Sequence, residues 1–440
     1  MASPHTRTGT TQSARPAQER PGLSPRAMLV ATSGNVLEWY DFTIYGFLAP
    51  TLAQVFFPGD TGATGVLSAF AVLAVGYAAR PVGSVIFGHV GDRFGRRPAL
   101  IVSVLLMGAG SILIGLLPSY AQAGLPAAVA LVCIRIVQGI SVAGEYTAAG
   151  VLVIEEARPG HRAFAGSWLA FAMLMGCAVG AAVPAAIASV SSEAEMQAWG
   201  WRIPFLLGGL VAVVGGWLRR ELPESSALES AARRPENPVW RVITGHWRTV
   251  LRMVLLLVPT AVIYFLLFVY AASYLVGEME FSAGRALDIT TVNLVVVALF
   301  ALWIGRCADR WGTRTVWLAG AFGTLVFGGP LWWLMHQENL ALVFAGQFGF
   351  SLLNAVGWGL SITVLTDMAP RGLRCSAVAL GYNACMAIFG GTTPMVAAYL
   401  VTRSGSDFAP LYYVVLATAL SLPVIWRLSG PTAAATREVA

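Results

Sequence analysis

Between residues 29 and 427 the sequence is cut into twelve apolar runs, each about long enough to cross a lipid bilayer as a helix. About 20 apolar residues, rising 1.5 Å each, span a hydrocarbon layer of roughly 30 Å. The runs cover 29–57, 64–90, 98–117, 125–151, 163–187, 202–218, 252–276, 286–305, 314–335, 339–366, 376–400 and 409–427. With 57% hydrophobic and 11% charged residues, the chain cannot bury that much apolar surface in one water-soluble globule. Uninterrupted runs of this length exclude a transmembrane barrel, whose strands alternate apolar and polar residues. The expected fold is an all-α membrane protein. Gly, Ala and Pro inside the runs fit closely packed membrane helices.

A charged connector divides the second run from the third, and it recurs. Gly88, Asp92, Arg93, Gly95 and Arg97 correspond to Gly305, Asp309, Arg310, Gly312 and Arg314 at a constant offset of 217. A second echo pairs Glu155, Ala157, Gly160 and Arg162 with Asp367, Ala369, Gly372 and Arg374 at an offset of 212. Two echoes in nearly one register predict two pseudo-symmetric six-helix bundles. The connector, with Arg96 and, from the second copy, Asp309 and Arg310, is the expected gate and topology anchor on the cytoplasmic side.

The chain has no lysine, so arginine alone sets the orientation. With the amino terminus inside, about 23 of the 28 basic residues fall on cytoplasmic segments and helix ends, whereas the outer side keeps Arg202, Arg285 and Arg403. That asymmetry predicts a multi-pass protein of the cell membrane with both termini cytoplasmic. The net charge of +6 is therefore a topology signal, not a nucleic-acid footprint. Five cysteines, Cys133, Cys177, Cys307, Cys375 and Cys385, show no CxxC pair and no metal spacing, so neither metal nor cofactor is expected.

Ionisable residues inside the runs mark candidate chemistry, because a charge at the bilayer centre is costly and usually lines a pathway. Glu38, Asp41 and Tyr45 share one helix face, with both acids about 14 to 18 Å deep. Arg135, Gln138 and Glu145 share a face of the fourth run, with Arg135 near the midplane. A buried arginine there calls for Glu38 or Asp41, and it can also receive a substrate carboxylate through two parallel hydrogen bonds. Arg80 precedes Pro81 in the second run. The second half offers mostly neutral groups: Tyr264, Tyr270 and Tyr274, Asn293, Asn354 and Trp358, and Tyr382 and Asn383. Tyr270 with Tyr274, and Asn354 with Trp358, are one turn apart and can face a cavity.

These residues carry a resemblance. Twelve spans in two halves, the Gly88–Arg97 connector, and Arg135 with Gln138 and Gly139 resemble the major facilitator superfamily. Further blocks resemble its metabolite:proton symporters, the group of proline/betaine, citrate, 2-oxoglutarate and shikimate carriers. These are Gly34, Asn35, Glu38, Trp39, Tyr40, Asp41 and Phe42; Arg80, Pro81 and Gly83; Gly144, Glu145 and Tyr146; Gly200 to Phe205; and Gly381, Tyr382 and Asn383 with Gly390, Gly391 and Pro394. The resemblance implies alternating access, with two halves rocking about a midplane site. Gly176 to Gly180 lacks the Gly-Pro step of drug/proton antiporters, which argues against export. Gly166, Ser167 and Trp168 resemble the betaine porters, whereas Arg135 leans toward the organic-acid carriers.

The expected layout is a disordered cytoplasmic tail (1–25), an amino-terminal bundle (26–218), a cytoplasmic linker (219–251), a carboxyl-terminal bundle (252–427) and a cytoplasmic tail (428–440). The expected function is proton-coupled uptake of a small carboxylate-bearing metabolite, an organic acid or a zwitterion, by a monomer in the bilayer. Glu38, Asp41, Arg135 and Glu145 are the expected proton-coupling groups. Arg80, Arg135, Tyr45, Gln138, Tyr270, Tyr274, Asn354, Trp358, Tyr382 and Asn383 are the expected substrate contacts. Trp39, Tyr40, Tyr146 and Trp168 are a possible cation-π face for a quaternary ammonium. The alternative is a proton-coupled exporter. No nucleophile elbow or phosphate loop supports an enzyme.

Overall fold

A computed structural model of the chain describes residues 25–59, 63–94, 96–218, 238–277, 279 and 281–428. Among these residues there are helices and no strands. The amino-terminal half contains α1 (Pro25–Phe47, continued by Ala49–Phe56), α2 (Ala63–Ala78, continued by Arg80–Phe94), α3 (Arg96–Leu116), α4 (Leu125–Val142, continued by Glu145–Glu155), α5 (Arg162–Val190) and α6 (Arg202–Leu218). The carboxyl-terminal half contains α7 (Trp247–Phe265, Leu266–Tyr270 and Ala271–Gly277), α8 (Ala283–Trp311), α9 (Thr313–Met335), α10 (Leu340–Met368), α11 (Arg374–Cys385, Met386–Gly390 and Thr393–Ser404) and α12 (Ala409–Trp426). Among the described residues nine helices are long and apolar enough to cross a membrane. Two shorter apolar helices, Ile101–Leu116 and Arg202–Val213, fall in the third and sixth runs.

Duplication shows in the packing. Within the first half α1 packs on α5 and α6, α3 on α4 and α6, and α2 on α4. In the second, α7 packs on α11 and α12, α9 on α10 and α12, and α8 on α10. Each pair repeats with every helix advanced by six, as two copies of one bundle require. The halves meet along α5 with α8, α2 with α11, and α4 with α10 and α11. Large apolar side chains stay exposed on the outward faces, among them Leu113, Val326, Phe327, Tyr412 and Leu416. The interior holds Asp41, Arg80, Arg135 and Gln138 instead, an arrangement suited to hydrocarbon and not to water.

Interruptions in the spans have local causes. Proline lacks an N–H and restricts the residue before it. α1 breaks just ahead of Pro50, α2 just ahead of Pro81, and the last part of α11 starts with Pro394 in its first turn. α7 and α11 each carry one wide turn with i to i+5 bonding, at Leu266–Tyr270 and Met386–Gly390. α2 and α4 approach until backbones touch: a Cβ on Gly83 would sit 2.1 Å from the Ile140 carbonyl oxygen, and one on Gly139 would sit 1.9 Å from that of Gly76. The crossing that carries Arg80 past Gln138 therefore requires glycine at both places.

The expected tails and most of the expected linker lie outside the described residues. Within the linker range the structure places one short helix, Pro238–Gly245, and starts α7 at Trp247. The span expected over 64–90 runs on as helix to Phe94, and the next helix starts at Arg96, so helix takes up most of the connector between α2 and α3.

Candidate functional site

The intramembrane polar residues form two clusters on opposite faces of α1. The first lies inside the amino-terminal bundle. Asp41 points among α3, α4 and α6, where Ser111 donates to one carboxylate oxygen and the Gln138 amide donates to the other at 3.3 Å. The same amide nitrogen lies 2.9 Å from Ser111 Oγ and 3.3 Å from the Met107 carbonyl, so its two hydrogens are shared among three acceptors. The Gln138 carbonyl oxygen accepts from Arg135 at 3.0 Å. The Arg135 guanidinium lies 4.3 Å from the Tyr45 ring, and the Tyr45 hydroxyl donates to the Ala69 carbonyl at 3.2 Å. Glutamine thus stands between Arg135 and Asp41, one of the two acids that the residue spacing offered as its partner. Glu38 is buried and borders the same small space as Asp41, with Ser103, Met107 and Ala212. α6 can come this close because position 208 is glycine; a Cβ there would be 2.5 Å from Asp41 Oδ1.

The second cluster sits between the halves. Trp39 faces away from Asp41 and meets Tyr146 and Trp358 edge-on, with ring centroids 6.4 and 6.3 Å apart. Tyr146 stacks on Tyr382 at 4.7 Å, and Tyr264 meets Trp358 at 5.5 Å. Arg80 lies within this wall, its guanidinium carbon 4.4 Å from the Tyr77 ring and 5.4 Å from the Trp39 ring. Arg80, Trp39, Tyr77, Trp358 and Tyr382 are all essentially inaccessible. Trp39 Nε1–H, Trp358 Nε1–H and the Tyr382 hydroxyl are buried without a hydrogen-bond partner, which is uncommon for buried polar atoms.

The other expected contacts lie elsewhere. Asn383 uses its amide on the protein itself: it donates to the Ala143 carbonyl at 2.7 Å, to Ser84 Oγ at 2.8 Å and to the Ala379 carbonyl at 3.0 Å. The interruption of α4 after Val142 leaves the Ala143 carbonyl open, and Asn383 pins α11 to it. Asn354 donates to the Thr260 carbonyl at 3.0 Å and borders a space inside the carboxyl-terminal bundle with Thr260, Thr324 and Thr418. It occupies, in α10, nearly the place that Gln138 holds in α4. Tyr270 pairs with Tyr274, and Tyr274 packs on His336, which also meets Trp332 and Phe408, all within the second half. Tyr40 donates to the Pro204 carbonyl at 3.0 Å, and Trp168 packs on Phe164 and Phe171. The Glu145 side chain lies outside the described residues. Sequence reasoning missed Tyr77; its position three residues before Arg80 was the available signal.

At the end of the molecule that carries the connectors, the second copy has a defined role. Asp309 accepts from the backbone N–H groups of Ala163 at 2.8 Å and Phe164 at 3.0 Å, capping the amino terminus of α5 across the interface. The Arg306 guanidinium lies 3.8 Å from the Phe164 ring. Arg310 is exposed in the last turn of α8. Position 95 and the side chains of Gly88, Asp92, Arg93, Arg96 and Arg97 lie outside the described residues. The second echo closes on itself: Arg162 pairs with Asp367 at 2.8 Å and Arg374 pairs with Glu155 at 3.1 Å. Each copy's arginine thus binds the other copy's acid.

Comparison with known proteins follows the same division. Residues 27–234 and 226–429 each match the model of a family described as sugar (and other) transporter. The proline/betaine transporter of Salmonella typhimurium is 32% identical over 413 residues, covering 91% of this chain and 82% of that protein. The glycine betaine/proline/ectoine/pipecolic acid transporter of Dickeya dadantii matches with the same identity and coverage. Among solved structures, the proton:xylose symporter bound to 6-bromo-6-deoxy-D-glucose superposes with a TM-score of 0.74 at 18% identity, over 91% of this chain and 94% of that one. The partially occluded, inward-open xylose transporter of E. coli gives 0.73 at 18% identity, over 92% and 98%.

Proposed function

The chain belongs to the sugar (and other) transporter family of the major facilitator superfamily, and from that premise we propose that this secondary transporter takes up a small carboxylate-bearing zwitterion together with protons. The observation that carries the reading is the buried wall between the halves. It combines one guanidinium, Arg80, with three donors that lack acceptors, on Trp39, Trp358 and Tyr382. A carboxylate would supply those acceptors, and a guanidinium binds it through paired, charge-assisted hydrogen bonds. The ring faces of Trp39, Tyr77, Tyr146 and Tyr382 would hold the cationic end of the same molecule. The relatives' names, proline and betaine among them, fit a zwitterion and lend no support to a citrate-like acid.

Proton coupling is assigned to Asp41. A proton on its carboxylate removes the charge that Ser111 and Gln138 now serve, and Gln138 also accepts a hydrogen bond from Arg135. Rearrangement there reaches the substrate wall through α1, since Trp39 and Asp41 are two residues apart on opposite faces. The arginine asymmetry supports an orientation with both termini in the cytoplasm, and with it the Arg162–Asp367 and Arg374–Glu155 bridges on the inner side. Closing and opening that side while the wall reforms around substrate is alternating access.

The test is uptake into proteoliposomes holding the purified full-length chain, over a panel of proline, glycine betaine, citrate, 2-oxoglutarate and shikimate, with and without an inward proton gradient. Proline or betaine should accumulate only with the gradient. Accumulation of a tricarboxylate instead, or uptake indifferent to the gradient, would discard the reading.

A further inference from the structure

The segment that joins the two bundles ends in a surface apart from both polar clusters. Pro238–Gly245 is a helix of eight residues that turns at His246 into α7. Val242 is its one buried residue, enclosed where the helix rests on the first part of α11, Arg374–Cys385. Facing out are Trp240, Ile243, Trp247 and Leu251, at 65%, 46%, 53% and 46% exposure. Trp240 and Ile243 are one turn apart on the short helix, and Trp247 and Leu251 are one turn apart at the start of α7.

Cations run beside these residues. Arg241, Arg248 and Arg252 are exposed, and the Arg248 guanidinium lies 5.5 Å from the Trp247 ring. No Asp or Glu occurs from 238 to 277. The acids at the nearby interface, Asp367 and Glu155, pair with Arg162 and Arg374. Two indoles and three guanidinium groups on one short surface suit neither hydrocarbon nor bulk water. The headgroup layer suits both: indoles settle at the acyl boundary, arginine stems lie along apolar surface with their heads outward, and the planar fork matches phosphate oxygens.

We propose that Trp240, Arg241, Ile243, Trp247, Arg248 and Arg252 form a binding surface for anionic phospholipid head groups. The leaflet concerned is the one beside the Arg374–Glu155 bridge. A lipid held there rests on the helix packed directly against α11, one element away from that bridge.

Tryptophan quenching by brominated lipids tests this without reference to transport. The full-length protein in phosphatidylcholine nanodiscs receives brominated phosphatidylglycerol or brominated phosphatidylcholine. The anionic lipid should quench at lower mole fraction, by about fivefold for each arginine engaged, given about 1 kcal/mol per basic residue at a charged surface. The difference should vanish in Trp240→Phe/Trp247→Phe, which identifies the reporting indoles. It should vanish also in Arg241→Gln/Arg248→Gln/Arg252→Gln, while the corresponding triple lysine variant retains it and excludes misfolding as the cause. Equal quenching by the two lipids in the wild type would overturn the proposal, as would a preference that survives the triple glutamine change. Displacement by added inorganic phosphate would show a site for soluble anions and overturn the lipid assignment.

Discussion

Asp41 and Arg80 are both buried charged residues on neighbouring helices, yet their surroundings assign them different work. Asp41 is served by neutral donors inside one bundle, so what it can change is its own protonation and the position of Gln138. Asp41→Asn keeps the size and most of the hydrogen bonds while removing the titratable proton. Gradient-driven accumulation of proline or betaine should fall to background, whereas substrate binding, measured by calorimetry on purified protein, should stay within a few fold of wild type. Arg80 is held by ring faces, and a guanidinium stacks on them as an ammonium does not. Arg80→Lys should therefore raise KM for uptake at least tenfold, a loss of about 1.4 kcal/mol, and an unchanged KM would remove Arg80 from the substrate site. Both residues stood out in the sequence as charges within apolar runs. Their separation into two clusters did not, because helical spacing says which residues share a face but not what that face meets.

The helices of this chain are shaped by glycine and proline as much as by their apolar stripes. Breaks in α1 and α2 follow from Pro50 and Pro81 and were open to reading; the interruption of α4 at Ala143 and Gly144 has no proline to announce it. That break matters, because the carbonyl it frees is what Asn383 binds from the other half. The sequence offered Asn383 as a substrate contact, one of the few polar groups in the second-half spans, and only the position of α11 shows its amide already engaged. At the α2–α4 crossing the prediction is structural. Gly139→Ala forces a methyl group into the Gly76 carbonyl, and overpacking of this kind costs roughly 1–3 kcal/mol. The thermal midpoint of the detergent-purified protein should drop, and an unchanged midpoint would mean that the crossing is looser than the structure places it.

For the whole molecule the decisive feature is reciprocity between the halves. The repeated acid and arginine of the second echo pair crosswise, Arg162 with Asp367 and Arg374 with Glu155. All four side chains are partly exposed, so each bridge is worth at most about 1 kcal/mol. That is enough to bias two conformations that differ by little and too weak to lock either one. Reversing one charge, as in Glu155→Arg, should expose the bridged side of the cavity to thiol reagents at engineered cysteines and slow uptake several fold. Adding Arg374→Glu should restore both, and failure of the double exchange to recover would show that the pair does not hold the gate.

The sequence alone determined the solvent, the helix class and the duplication, since each is a property of composition and periodicity along one chain. It also singled out Glu38, Asp41, Arg80 and Arg135 as costly residues that a bilayer protein carries for a reason. Tertiary structure decided who meets whom: Gln138 between Arg135 and Asp41, the ring wall around Arg80, and the exchange of partners between the two echoes. Such pairings depend on how helices rotate and cross, which is set by close packing among segments far apart in the chain. No local spacing encodes that.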